Sequence, residues 1–82
     1  MRKSIHTPEY RKLVRLLVEA RKRAGITQAA LARKLGRPQS FVAKVEGCER
    51  RLDVMEFLHV ARHLKADPCA LLRRVSTARS KP

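Results

Sequence analysis

The stretch from Thr27 to Glu46, TQAALARKLGRPQSFVAKVE, constrains the fold of this chain more than any other. Thr27 can cap a helix, because its side-chain oxygen can accept from the free N–H groups of the following turn. Gly36 can adopt the left-handed conformation that ends a helix, and Pro38 is suited to the opening of the next one. Apolar residues recur between these signals at helical spacing: Leu31, Ala32 and Leu35. The stretch therefore predicts two short helices joined by a tight turn.

The second of these helices divides into an apolar and a polar face. Val42 and Val45 are predicted to point inward, because they share one side of the helix. The residues left facing outward are Gln39, Ser40, Ala43 and Lys44. Amide, hydroxyl and amine groups are suited to base edges and phosphates. The pattern therefore favours a helix that contacts nucleic acid.

The full pattern, TQ-x-x-LA-x-x-LG-x-x-QS-x-V-x-K-V-E, resembles the phage-repressor/Cro-type helix-turn-helix family, also called Xre-like. The resemblance covers roughly Arg11 to Leu72, and five fixed positions match: Gln28, Ala32, Gly36, Gln39 and Glu46. It implies an all-α fold, a five-helix lambda-repressor-like DNA-binding bundle whose second motif helix enters the major groove. The alternative is that the same pattern only packs a small helical bundle and binds no ligand.

The resemblance also implies roles for individual residues. Gln39 matches the leading base-reading position, and Ser40 and Lys44 occupy two further positions that the family uses for base contact. Gln28 matches a phosphate-binding glutamine at the start of the preceding helix. For Gln39, Ser40 and Lys44, the alternative is a solvated polar face without a ligand.

Glu46 is an acid within an otherwise basic motif. In the family, the matching glutamate is partly buried and pairs with an arginine of the first helix, and Arg21 lies at that position here. Because an acid beside DNA is otherwise repulsive, a structural clamp between Arg21 and Glu46 is the better interpretation. An acid–base role is disfavoured.

The charge of the chain indicates a polyanionic partner. Twenty Lys and Arg against seven Asp and Glu give a formal net charge of +13. Such self-repulsion in a short chain is typical of proteins that bind nucleic acid, although an arginine-rich genome could also contribute. The basic residues expected to hold phosphates, beside Gln28, are Arg37, Arg50 and Arg51. Only three aromatic residues are present, which disfavours single-strand binding by base stacking.

Outside the motif, the sequence predicts one domain with short extensions. Residues 1–6 are predicted to be a flexible basic arm, 7–75 the helix-turn-helix domain, and 76–82 a flexible basic tail. Thr7 and Pro8 start a long amphipathic helix, and Gly25 ends it. The apolar stripe of this helix is predicted to contain Tyr10, Leu13, Val14, Leu17, Ala20 and Ala24.

Two further helices are predicted after the motif. Asp53 and Glu56 form a capping-box pattern that starts the fourth helix, with Leu52 able to clasp Phe57. The buried stripe of the fourth helix is predicted to contain Val54, Phe57, Leu58, Ala61 and Leu64. Asp67 and Pro68 then open a last short helix. Lys65 lies where the family often has glycine in the left-handed conformation, so strain is expected there. The family usually has glycine at the position of Cys48 as well, one residue after Gly47.

The sequence contains no convincing catalytic or metal-binding pattern. His59 and His63 lie four residues apart, but surface histidines explain this spacing better than zinc does, and the two cysteines have no recognised ligand spacing. No nucleophile, base and orienting group can be assembled. We therefore expect no enzyme activity, no metal and no cofactor. The N-terminus lacks an apolar signal core and no membrane span is present, which predicts a cytoplasmic protein.

These observations lead to two hypotheses of function. The first is a sequence-specific regulator of transcription that binds double-stranded DNA, acting as a repressor and as a homodimer. The second is an antitoxin-like module that binds a protein partner and can also repress its own operon. The chain shows no long partner-binding extension, which favours the first hypothesis.

Overall fold

The computed structural model describes residues 7–79 of the chain, with side chains described through residue 77. These residues form five α-helices and no strand. The helices are α1 Pro8–Arg23, α2 Gln28–Leu35, α3 Gln39–Glu46, α4 Val54–His63 and α5 Pro68–Arg79. The predicted all-α, five-helix bundle is therefore confirmed. No helix among residues 7–79 is long and apolar enough to cross a membrane.

Helix α1 forms the long side of the bundle and begins as predicted. The Tyr10 N–H donates to the Thr7 hydroxyl oxygen over 3.1 Å, which caps the helix. The predicted apolar stripe was wrong at two positions, because Ala24 is exposed at the helix end and Leu16 is buried. Helix α1 packs against both α3 and α5. Its buried face is therefore wider than a single apolar stripe.

Helices α1 to α4 all end with a residue in the left-handed conformation. These residues have φ angles of 72°, 69°, 58° and 56° and are, in order, Gly25, Gly36, Cys48 and Lys65. The N–H of the next residue donates in each case to a carbonyl five residues earlier, as in the Schellman motif. Short connections are thereby fixed between successive helices. The cysteine and the lysine adopt a conformation that costs an L-residue about 1–2 kcal/mol.

The start of α4 contains the predicted capping box. The Glu56 N–H donates to Asp53 Oδ1 over 2.7 Å, and the Asp53 N–H donates to Glu56 Oε1 over 3.0 Å. The expected buried stripe was wrong at Val54, which is 73% exposed, whereas Val60 is buried. Leu52, just before the cap, is buried and occupies this end of the core.

One core joins all five helices. Its buried members are Leu16, Leu17, Ala20, Leu31, Ala32, Phe41, Val42, Val45, Leu52, Phe57, Val60, Ala61, Leu64 and Leu71. Helix α5 continues to Arg79, beyond residue 75, where the domain was predicted to end. The Thr77 hydroxyl donates to the Arg73 carbonyl over 2.7 Å within this last turn. The predicted arm, residues 1–6, and residues 80–82 of the predicted tail lie outside the described residues.

Candidate nucleic-acid interface

Helices α2 and α3 with the turn between them form the predicted helix-turn-helix. The Ala30 N–H donates to the Thr27 hydroxyl oxygen over 3.0 Å and starts α2, and Gly36 ends it. Pro38 directly precedes α3, with φ of −66°, and no side chain caps that helix. The Phe41 N–H donates to the Pro38 carbonyl over 3.0 Å, so the start of α3 is held by the backbone and not by a side chain.

The outer face of α3 presents polar groups on an apolar base. Its exposed residues are Gln39, Ser40, Ala43 and Lys44. Val42 and Val45 are buried on the opposite side, where the sequence predicts them. Phe41 is buried as well, which the sequence reasoning missed. The signal was present, because positions 41 and 45 lie one turn apart on the same side of a helix.

Arg21 and Glu46 lie together behind the motif. Arg21 Nε donates to Glu46 Oε2 over 2.6 Å, and Arg21 Nη2 donates to Glu46 Oε1 over 3.0 Å. Arg21 Nη1 also donates to the Ile26 carbonyl over 2.8 Å. Only 11% of the arginine side chain and 14% of the glutamate side chain are exposed. This bidentate pair ties α1 and the start of the motif to the end of α3.

Gln28, the first residue of α2, joins this group. Its Nε2 donates to Glu46 Oε1 over 2.9 Å, so three elements meet at one carboxylate. The side chain is half-buried, and its carbonyl oxygen takes no part in this bond. The sequence predicts Gln28 as a phosphate ligand and does not predict the bond to Glu46.

Arg37 and Arg50 converge on one acid that the sequence reasoning treated only as a helix cap. Arg37 Nη2 donates to Glu56 Oε2 over 2.8 Å. Arg50 Nη1 and Nη2 donate to the two carboxylate oxygens of Glu56 over 2.9 and 3.1 Å. Both guanidinium groups lie over the ring of Phe41, at 4.2 and 4.7 Å from its centroid. We call Arg37, Phe41, Arg50 and Glu56 the arginine cluster.

The ionisation of Glu56 reflects these contacts. The hydrogen bond from Arg50 and the bond from the Asp53 backbone N–H, with a smaller contribution from Arg37, lower the pKa of Glu56 from 4.5 to about 2. The same bond raises the pKa of Arg50 above its ordinary value. The cluster therefore holds one negative and two positive charges at neutral pH. Arg51, the third predicted arginine, is exposed, and its carbonyl accepts from Arg50 Nη1 over 2.8 Å.

Candidate ligands for a metal do not come together in the described part of the chain. No group of three or more His, Cys, Asp and Glu residues is placed to hold an ion there. His59 and His63 are exposed on α4. Cys48 and Cys69 are free thiols, the first half-buried and the second exposed.

Similarity to known proteins identifies the family of this chain. A family model described as a helix-turn-helix domain matches residues 12–74, which includes most of α1 and all of α2 to α4. No curated protein matches the chain. The chain is similar to the solved structure of an XRE-family like protein from Pseudomonas syringae pv. tomato str. DC3000, with 52% sequence identity and a TM-score of 0.87. The similarity covers 94% of each chain. The chain belongs to the XRE-like family of helix-turn-helix proteins and is a DNA-binding regulator.

Proposed function

We propose that the protein is a sequence-specific repressor of transcription that binds double-stranded DNA as a homodimer. The observation that carries this proposal is the exposed polar face of α3, which is flanked at its N-terminal end by Arg37 and Arg50. A helix of this kind fits the major groove, where each base pair presents a distinct set of donors and acceptors. The polar face would then contact base edges while the neighbouring arginines contact the phosphate backbone.

Gln39, Ser40 and Lys44 are proposed to contact bases. Glutamine can bond to both N6 and N7 of adenine, and lysine can donate to O6 and N7 of guanine, whereas serine discriminates poorly. Gln39 and Ser40 begin α3, the end that enters the groove first, and all three side chains are exposed.

Gln28, Arg37, Arg50 and Arg51 are proposed to contact phosphates. Each lies in a turn or loop next to α3 or at the start of α2, rather than on the outer face of α3 itself. Contacts of this kind fix the register of the protein on the duplex and carry no sequence information directly. The pair of Arg21 and Glu46 is proposed to act as a structural clamp.

A homodimer would place two copies of α3 in successive major grooves. Half-sites in such complexes are about 34 Å apart, one turn of the duplex. Adjacent apolar side chains support a protein contact, since Val54 and Met55 at the start of α4 are 73% and 57% exposed. A different protein could cover the same residues, as an antitoxin-like module would require. Co-purification of a second protein in equal amounts would favour that alternative.

The charge of the chain gives the proposal a quantitative test. If about six phosphates are neutralised by a pair of subunits, log K should fall with log salt with a slope near −5. The measurement is a titration of a random-sequence duplex at several salt concentrations. A flat salt response would contradict duplex binding altogether.

A selection from genomic duplex fragments, followed by footprinting, tests the specific part of the proposal. We expect a site with two-fold symmetry and half-sites one helical turn apart. Recovery of fragments without a common sequence would contradict a sequence-specific regulator. The proposed location is the cytoplasm, where both thiols would remain reduced.

A further inference from the structure

The arginine cluster joins the motif to α4 through a single carboxylate. Glu56 accepts from Arg37, twice from Arg50, and from the Asp53 backbone N–H. Its side chain is only 14% exposed, whereas 40% of each arginine side chain is exposed. The carboxylate is thus covered by the guanidinium groups, and they remain open to solvent.

Each guanidinium group keeps donors that the cluster does not use. An arginine carries five N–H donors, of which Arg37 gives one to Glu56, while Arg50 uses two nitrogens for Glu56 and the Arg51 carbonyl. The ring of Phe41 lies under both groups and limits their movement further. A side chain held in this way loses less freedom when it binds a phosphate than a freely rotating one does.

We propose that Glu56 and Phe41 are positioning residues, which hold Arg37 and Arg50 in the orientation that binds DNA phosphates beside α3. The inference rests on the proposed function, because it requires that these arginines meet a duplex. It assigns to an acidic residue a favourable part in binding a polyanion.

Two opposing effects decide what the loss of the Glu56 charge does. Removal of one negative charge strengthens attraction to DNA, but a phosphate on the same guanidinium group would lie about 6 Å from the carboxylate, where water and salt limit the gain to about twofold. Release of the arginines weakens binding, by roughly two- to tenfold for each side chain that must then be ordered. The second effect is the larger, so affinity should fall although the net charge rises.

The test compares Glu56→Gln with Asp53→Asn. Both remove one carboxylate from the start of α4, but only the first removes the oxygen that accepts from Arg37 and from Arg50 Nη2, together with the charge that both arginines face. Glutamine can still complete a capping box and asparagine is a good helix cap, so both variants should fold. The probe is a mixed-sequence duplex of about 20 base pairs, the span of two half-sites. We expect Glu56→Gln to bind it about tenfold more weakly than wild type, and Asp53→Asn within twofold.

Three further variants test whether Glu56 and Phe41 act through the arginines. Phe41→Leu leaves the charge unchanged and removes the ring under both guanidinium groups, so it should also weaken duplex binding. In a background with Arg37→Gln and Arg50→Gln, Glu56→Gln should no longer weaken binding, because no arginine is left to position. Thermal melting of each variant shows that it is folded.

The outcomes distinguish this inference from the proposed function. If wild type binds the duplex while Glu56→Gln binds as tightly as Asp53→Asn or more tightly, the positioning role is overturned and duplex binding stands. The same holds if Glu56→Gln weakens binding equally in the background without the two arginines. If wild type does not bind the duplex at all, the proposed function itself is overturned.

Discussion

Glu46 and Glu56 each accept hydrogen bonds from arginine, and both side chains are 14% exposed. The arginines differ, because 11% of Arg21 is exposed but 40% of both Arg37 and Arg50. Arg21 gives its donors to Glu46 and to a backbone carbonyl inside the protein. Arg21 is largely covered by the protein, whereas Arg37 and Arg50, on the same kind of partner, are exposed enough to reach a ligand. We therefore propose that the Glu46 pair contributes mainly to stability and the arginine cluster mainly to DNA affinity.

The largest expected effect on stability is that of removing the Glu46 carboxylate. Glu46→Ala should lower the free energy of unfolding by roughly 1–3 kcal/mol, because Arg21 and Gln28 lose their shared acceptor. Denaturant unfolding measures this loss. Glu56→Gln serves as the contrasting variant, for which we expect a smaller loss in the free energy of unfolding. An unchanged melting temperature together with tighter DNA binding would show that Glu46 is merely a surface acid.

Cys48 and Lys65 are strained residues at helix ends, and Cys48 lies in the loop that contains Arg50. Cys48→Gly should raise the free energy of unfolding by about 0.5–1 kcal/mol, because glycine adopts the left-handed conformation without the steric cost. Lys65→Gly is the matched control at the end of α4, away from that loop. Both should be stabilising in thermal unfolding. Destabilisation by both would contradict the assignment of strain to these backbone positions.

The arginine cluster should also respond to acid, through the Glu56 carboxylate. The pKa of Glu56 in the folded protein is about 2, below its ordinary value of 4.5. A lowered pKa means that the carboxylate contributes stability above pH 4.5 and loses it as pH falls through 2. The effect is smaller than that of Glu46→Ala, since solvent screens the two exposed arginines. Unfolding of wild type and Glu56→Gln across this range checks it: the variant should lack this part of the pH dependence. Parallel curves would contradict the role of Glu56.

Local signals in the sequence predicted most of the fold. Thr7, Thr27 and Asp53 cap the helices where their residue types indicate, and Gly25 and Gly36 end them. These features depend on residues only a few positions apart, so a linear pattern contains them. Errors arose where two elements meet. Val54 shares a helical stripe with buried residues but is itself exposed. Its exposure depends on how α4 packs against its neighbours, which the spacing of apolar residues does not contain.

The arginine cluster shows why the candidate site was only partly predictable. Arg37 and Glu56 are 19 positions apart, and their bond depends on how α4 packs beside α2. Charge alone marked the arginines as phosphate ligands, but no local pattern links them to Glu56 or to the ring of Phe41. The pairing of Arg21 with Glu46, 25 positions apart, was expected only because the chain resembles a known family.

We propose that the outer face of α3 reads base sequence, while the residues around it hold phosphates. Gln39→Ala and Gln28→Ala test this claim together, by competition between the selected operator and a scrambled duplex of equal length. Gln39→Ala should cost about 1–3 kcal/mol on the operator and little on the scrambled duplex, because a base contact is lost. Gln28→Ala should weaken both by similar amounts, since a phosphate contact is the same at every step. Equal weakening of both duplexes by Gln39→Ala would contradict the claim and leave α3 as a positioning or partner-binding surface.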